Sequence, residues 1–149
     1  LFTHIIHAVG DDWLRELGSA VQNKDGLPAI LAATDAHYRF VLEAADRIRA
    51  FYILWFDSIG PDPALKSVIA NVHERRRRDV AVWIATGIDV GNVRADADAE
   101  TIAEQFCASI IGIVYQWLVT PNAKRHIHDL HEGLKQQMIG ALAVPATAR

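Results

Sequence analysis

The chain has 149 residues, of which 51% are hydrophobic and 22% charged, a composition typical of one folded globular domain. It excludes a disordered or collagen-like chain. The formal net charge of −3 provides no positive field to hold a polyanion, so these residues alone are not expected to bind DNA. The single cysteine, Cys107, excludes an internal disulfide and suits a reducing compartment, so we expect a cytoplasmic protein.

The first half of the chain predicts helices separated by short breaks. An apolar stripe with steps of three or four residues runs from Phe2 to Ala20, and the segment 23–26 ends that helix. A second helix starts at Pro28 and runs into residues 50–56, which are apolar all round. By periodicity alone, residues 50–56 also fit a buried strand, but no second strand-like segment is present to pair with them, so we interpret them as helical.

The second half predicts three further helices, which gives an all-α fold of about six. Asp62 and Pro63 have the order of an N-cap and a first-turn proline, and the helix they open runs to about Asp89, before a turn at 91–92. Acidic residues at 96 and 98 open the next helix, which Pro121 ends, and a last amphipathic helix spans about 127–142. We interpret residues 1–149 as a single domain.

No basic-then-apolar leader opens the sequence, and the longest uncharged run, residues 105–123, is interrupted by polar side chains. We therefore expect that run to form a buried helix, and we expect no membrane partner.

Four consecutive arginines, Arg75–Arg78, suggest nucleic-acid binding, but on a helix successive residues point about 100° apart and form no stripe along a phosphate backbone. A solvated helix face is the preferred interpretation. Arg76 differs from the others because it falls on the apolar line between Val72 and Val80. It is either paired with a carboxylate at a helix crossing, which we favour, or a polar anchor in a cavity.

Histidines and catalytic motifs indicate no active site. His126, His128 and His131 resemble a small metal cluster, but only the last two share a helix face, so we interpret the group as surface histidines. No nucleophile elbow, phosphate-binding loop or zinc-protease motif is present. We therefore predict no enzyme, metal site or cofactor.

Aromatic and mildly polar residues concentrate on the inward faces of the predicted helices. Any one of them is more simply explained as core packing, but a dry core would need a partner for every polar group. Mostly apolar walls with a few hydrogen-bonding groups are typical of a small-molecule cavity. The predicted ligand-binding residues are Trp13, Thr34, His37, Tyr38, Tyr52, Trp55, Phe56, Arg76 and Trp83.

The helix that follows Asp98 has two apolar faces, which require two partners. The last helix supplies one partner, and a second copy of the chain is expected to supply the other through an isologous four-helix contact. We therefore predict a homodimer. Its expected interface residues are Ala108, Gly112, Tyr115, Gln116, Leu130, Leu134 and Met138.

The sequence resembles the carboxy-terminal regulatory domain of the TetR family of transcriptional repressors. The opening residues 1–6 look like the helix that follows the DNA-reading helices of that family. The resemblance continues through Arg78-Asp79, Trp83-Ile84, Gly87-Ile88, residues 91–94, Asp98-Ala99-Glu100, Gly112 and Gln116-Trp117-Leu118.

The resemblance implies a dimer built by the helices that start at Asp98 and near Lys124. It also implies an effector pocket surrounded by helices that begin at Leu1, Pro28, Ala50 and Pro63. Operator DNA would bind only through a helix-turn-helix head outside this chain, and a small apolar or aromatic effector would lower its affinity. The alternative is a small all-α enzyme or metal-binding bundle that uses His37, His73 or the 126–131 group.

Overall fold

The computed structural model describes residues 2–120 and 124–147, and over those residues it consists of six α-helices. This confirms the all-α prediction. The expected helix start at Leu1 and stop at Pro121 lie outside the described residues. The helices are α1 (Phe2–Val21), α2 (Gly26–Glu43), α3 (Ala45–Asp57), α4 (Pro63–Val90), α5 (Ala99–Val119) and α6 (Lys124–Leu142).

Local capping residues set several helix ends. The Asp62 carboxylate accepts hydrogen bonds from the backbone N–H groups of Ala64 and Leu65 at 3.0 and 3.3 Å, and Pro63 occupies the first turn of α4. Gly91 ends α4 in the left-handed conformation, with φ of 86°. The Asp98 carboxylate accepts from the Thr101 backbone at 3.1 Å and so opens α5. These caps confirm the predicted boundaries of α4 and the start of α5.

The break between α2 and α3 corrects the prediction of one helix running from Pro28 into residues 50–56. Ala44 leaves the helical conformation (φ −113°, ψ 29°), and Ala50 lies inside α3 rather than at its start. Neither glycine nor proline marks this position. The break directs α3 against α1, where Arg47 donates a hydrogen bond to Asp12 at 2.9 Å.

Helix α2 lies at the centre of the bundle and contacts α1, α3, α4 and α6, while α5 packs between α4 and α6. The start of α2 meets the last turns of α4 at two glycines. A β-carbon on Gly26 would lie 2.7 Å from the Cα of Gly87, and one on Gly87 would collide with Gly26 and Val93. This close crossing positions α2 and α4, which form two walls of the cavity described below.

Among the described residues, α5 is the one helix that is long and apolar enough to cross a membrane. It packs on α4 and α6, and 33% of its apolar window is buried there. Tyr115 and Val119 stay 46% and 61% exposed. A helix that packs on its own chain and on a second protein surface can be as apolar as a membrane-spanning helix, so hydropathy alone does not indicate a membrane protein.

Candidate ligand-binding cavity

A cavity of about 660 Å³ lies between α1, α2, α4 and α5. This volume is within the range of about 300–1,000 Å³ that small-molecule sites occupy. Trp13 and Leu17 form the α1 side, Val80 and Trp83 the α4 side, and Phe106 the α5 side. The walls are therefore mostly apolar, with a few polar groups at defined places.

Arg76 of α4 is the principal polar group of the cavity wall. Its guanidinium carbon lies 3.2 Å from the ring centroid of Trp13 and 4.8 Å from that of Trp55, an arrangement that places the cation between two indoles. Burial lowers the pKa of Arg76 to about 9, which leaves it protonated at neutral pH.

The carboxylate partner that we favoured for Arg76 is a wrong prediction. Across residues 2–120 and 124–147, no hydrogen bond or ion pair of this side chain is found. Its neighbours behave differently: Arg77 and Arg78 both pair with Glu74, at 3.0 and 3.2 Å, and Arg75 is exposed. The solvated face predicted for the four arginines is therefore correct for Arg75 and Arg78, whereas Arg77 is half-buried and lines the cavity.

His37 supplies a second polar group, and its protonation follows from a hydrogen-bond chain. The Nδ1 of His131 lies 2.8 Å from the carbonyl oxygen of Ile127, which only accepts, so His131 carries its proton on Nδ1. Its Nε2, 2.8 Å from Nδ1 of His37, is then an acceptor. His37 must donate from Nδ1, which leaves its own Nε2 as an acceptor.

His37 and His131, which form this hydrogen-bond chain, are both neutral. Burial lowers the pKa of His37 well below its usual value, and repulsion from a protonated His131 and from Arg76 lowers it further. Burial also lowers the pKa of His131. His131 is only 2% exposed, which corrects its interpretation as a surface histidine, whereas His126 and His128 are exposed as expected.

The remaining titratable groups of the inner wall add no full charge. Burial and the neighbouring arginines lower the pKa of His73, whose ring is edge-on to Trp55 at 4.7 Å. Burial raises the pKa of the Cys107 thiol to about 11, so it stays protonated and is a poor nucleophile. Asp79 and Glu104 also line the cavity, but both are exposed to solvent.

The structure brings part of the predicted ligand-binding set together. Trp13, His37, Arg76 and Trp83 line the cavity. Tyr52 and Trp55 line a small adjoining pocket of about 10 Å³, which Trp13, His37 and Arg76 share. Their binding role stays a prediction.

Three predicted residues lie away from the cavity walls. Thr34 is buried and donates to the carbonyl of Ile30 within its own helix at 2.8 Å. Tyr38 packs against the rings of His128 and His131. Phe56 is 44% exposed and packs on Tyr115 of α5. The apolar stripe predicted that these three side chains point inward, but it did not predict which partner each one meets, because neighbouring faces of one helix pack against different helices.

The sequence interpretation missed the contribution of α5 to the cavity, because it assigned the accessible surface of this helix to a dimer. Glu104, Cys107, Ala108 and Ile111 line the cavity at helical spacing. That spacing was the available signal. Ala108, predicted at the dimer interface, therefore lies on the cavity side of α5.

The other predicted interface residues fall into two groups. Tyr115 and Gln116 are exposed on α5, and Gly112 and Leu130 are half-buried. Leu134 and Met138 are only 3% and 6% exposed, because they pack in the core of their own chain. A partner would not reach these two side chains, so we remove them from the expected contact.

A metal-binding alternative has no geometric support in residues 2–120 and 124–147, where no group of three or more His, Cys, Asp or Glu side chains could hold an ion. The candidate histidines do not converge on one point: His37 and His131 form a hydrogen bond with each other, whereas His73 packs against Trp55.

An all-α bundle that encloses a mostly apolar cavity with a few polar groups has the architecture of a small-molecule-binding domain. A family model described as "BetI-type transcriptional repressor, C-terminal" matches residues 35–138. The chain therefore belongs to this family, and the resemblance to TetR-type regulators is confirmed. Searches of curated proteins and of solved structures give no match. Membership makes the chain a ligand-binding and dimerisation domain of a transcriptional regulator.

Proposed function

We propose that this chain senses a small apolar or aromatic effector and that effector binding lowers the DNA affinity of a helix-turn-helix head that precedes α1 in the whole regulator. The observation that carries this proposal is the cavity of about 660 Å³, whose walls include α1 as well as α2, α4 and α5. An effector in this space contacts the helix that would continue toward the head.

The proposed mechanism is a population shift between two spacings of the paired heads. An effector changes operator affinity only by its differential binding to the two states, and such couplings are typically about 1–3 kcal/mol. Trp13 lies in the cavity wall, and α1 extends from it to Phe2 as one helix. A displacement at Trp13 is therefore transmitted along a rigid element to the amino end.

The same proposal includes a homodimer formed through α5 and α6 in the cytoplasm. The apolar α5 leaves Tyr115 and Val119 exposed beside the half-buried Gly112, and α6 packs next to it. An exposed apolar patch of this kind suits the isologous contact of a C2 dimer. The dimer fixes the relative positions of two heads, which is required for an effector to change their spacing.

The proposal is tested by blocking the mouth of the cavity in the full-length regulator. Gly18 lines the cavity, and a β-carbon placed there meets no atom within 4 Å. Gly18→Phe should fill the opening and abolish release of operator DNA by the molecule that co-purifies with the protein, identified by native mass spectrometry. DNA binding without effector should persist.

The matched control is Gly10→Phe, at an equally open glycine of α1 outside the cavity lining. It should leave the effector response intact. An unchanged response in Gly18→Phe would reject this cavity as the sensing site.

A further inference from the structure

Unpaired hydrogen-bond donors concentrate around Arg76, although the Tyr52 hydroxyl and the Cys107 thiol beside it can also accept. The guanidinium has five N–H donors, for which the described residues provide no acceptor. The indole N–H groups of Trp13 and Trp55, which flank it, are buried and are likewise without a partner in residues 2–120 and 124–147. The two buried N–H groups and the half-buried guanidinium carry a desolvation cost that a bound acceptor, above all an anion, would offset.

One acceptor lies beside this donor cluster. The tautomer fixed by the Ile127 carbonyl leaves Nε2 of His37 able only to accept, and no protein donor to it is found in the described ranges. His37 packs on Trp13 with ring centroids 5.6 Å apart, so both His37 and Arg76 contact the same indole. A ligand that satisfies both must present an anionic acceptor and, close to it, a hydrogen-bond donor.

The carboxylates of the cavity do not reverse this charge preference. Asp79 and Glu104 are exposed, where water and salt screen their fields. Arg77 is already paired with Glu74 at 3.0 Å. The inner wall is therefore positive and the rim is mixed.

We infer that the cavity binds a small aromatic carboxylate that also carries a hydroxyl group: the carboxylate accepts hydrogen bonds from Arg76, the hydroxyl donates to Nε2 of His37, and the rings lie along Trp13 and Trp83. The inference rests on the proposed function, because it names the effector class of the same cavity. A quaternary ammonium or other cation is excluded by the same charge.

Isothermal titration of the full chain with four naphthalene probes tests the inference. The probes are isomeric hydroxy-2-naphthoates, 2-naphthoate without a hydroxyl, the methyl esters of the hydroxy acids, and a naphthylmethyl trimethylammonium ion. The best hydroxy acid should bind about tenfold tighter than either 2-naphthoate or its own ester, because 2-naphthoate lacks the hydroxyl donor and the ester lacks the negative charge that strengthens the hydrogen bonds with Arg76. The ammonium ion should not bind measurably.

Three variants assign the preference to the named groups. Arg76→Met should weaken binding of the hydroxy acid about tenfold and weaken binding of the ester less, because the ester makes only a neutral hydrogen bond with Arg76. His37→Phe should abolish the advantage of the hydroxy acid over 2-naphthoate while keeping the advantage over the ester. Arg75→Met, at the exposed adjacent arginine, is the matched control and should change neither. Circular dichroism verifies folding, and the wild-type ligand series alone decides the charge preference if a variant does not fold.

Several results would overturn the inference. They are equal affinities of the acid and its ester, tight binding of the ammonium ion, an unchanged acid affinity in Arg76→Met, or no binding of any probe to the wild type. None of these decides the sensing role of the cavity, which depends on the separate response of Gly18→Phe to the co-purified molecule.

Discussion

The imidazole of His37 donates a hydrogen bond from Nδ1 to Nε2 of His131, 2.8 Å away, and so connects the cavity wall on α2 to α6. The chain ends at the carbonyl oxygen of Ile127, which His131 reaches from its other ring nitrogen at 2.8 Å. Each donor in this sequence has one acceptor, and the bond between the two rings needs His131 neutral. A proton added to Nε2 of His131 would replace this hydrogen bond by two donors facing each other, whereas a proton added to His37 would go to its Nε2 and leave the bond in place.

Stability should therefore fall with pH below about 6.5, the ordinary pKa of histidine. The folded-state pKa values of His37 and His131 are both lowered, so the unfolded chain binds protons first as the pH falls. The unfolding free energy should change little between about pH 7.5 and 8 and decrease, between pH 6.5 and 5, by up to about 1.4 kcal/mol per pH unit for each histidine. Urea unfolding across pH 5–8 measures it.

The double variant His37→Phe/His131→Leu should reduce this pH dependence, because it removes two of the histidines whose pKa values are lowered. Some pH dependence should remain, because the pKa of His73 is lowered as well. The charged groups that act on the pair are Arg76 beside His37, and His128, Asp35 and Glu132 beside His131; they remain in the variant. The exposed His126→Gln is the control. A double variant with the slope of the wild type would contradict the expected coupling.

Arg76→Met should change the unfolding free energy by no more than about 2 kcal/mol. Methionine removes the desolvation cost of the guanidinium but also loses the contacts with two indoles, and these effects oppose each other. A buried ion pair would behave differently, since loss of one partner costs about 3–5 kcal/mol. Urea unfolding beside Arg75→Met gives the comparison, and a loss in the larger range would indicate a structural role.

Gly112→Glu should weaken self-association and leave the fold of one chain unchanged. A β-carbon on Gly112 meets no atom within 4 Å, so the chain itself accommodates the side chain. Across an isologous contact two copies of the new carboxylate would be brought together without partners. Sedimentation equilibrium should show at least about a tenfold weaker dimer, as one uncompensated charge costs more than 1.4 kcal/mol.

Gly10→Glu introduces the same charge at a glycine of α1 that is equally open. It should leave self-association unchanged. Equal dimer affinities for Gly112→Glu and the wild type would exclude this face of α5 from the contact.

Gly87→Ala should destabilise the fold by more than about 2 kcal/mol, because the added methyl group collides with the backbone of Gly26 and the side chain of Val93. Backbone cannot move aside without separating α2 from α4. At the open Gly10, alanine should instead be neutral or stabilise by up to about 1 kcal/mol. Thermal unfolding followed by circular dichroism distinguishes the two, and a Gly87→Ala variant as stable as the wild type would show that the crossing can widen.

The helices and their capped ends were predictable from the sequence because they depend on neighbouring residues. The carboxylates of Asp62 and Asp98 accept hydrogen bonds from backbone N–H groups in the first turn of the helix that each opens, and Pro63 follows Asp62. Apolar residues at steps of three or four identify the buried face of each helix. The aromatic and polar composition of the inward faces was visible for the same reason. It indicated a cavity and identified Trp13, His37, Arg76 and Trp83 among its walls.

Tertiary packing alone decided which of those groups meet. The break at Ala44 has no glycine or proline as a local signal, and the helix that follows it, α3, packs against α1. His131 and His37 are 94 positions apart and form a hydrogen bond only because α6 packs on α2. Likewise, two indoles from α1 and α3, and not a carboxylate, surround Arg76. Local pattern specifies the direction a side chain takes from its helix, but its partner depends on how distant helices cross.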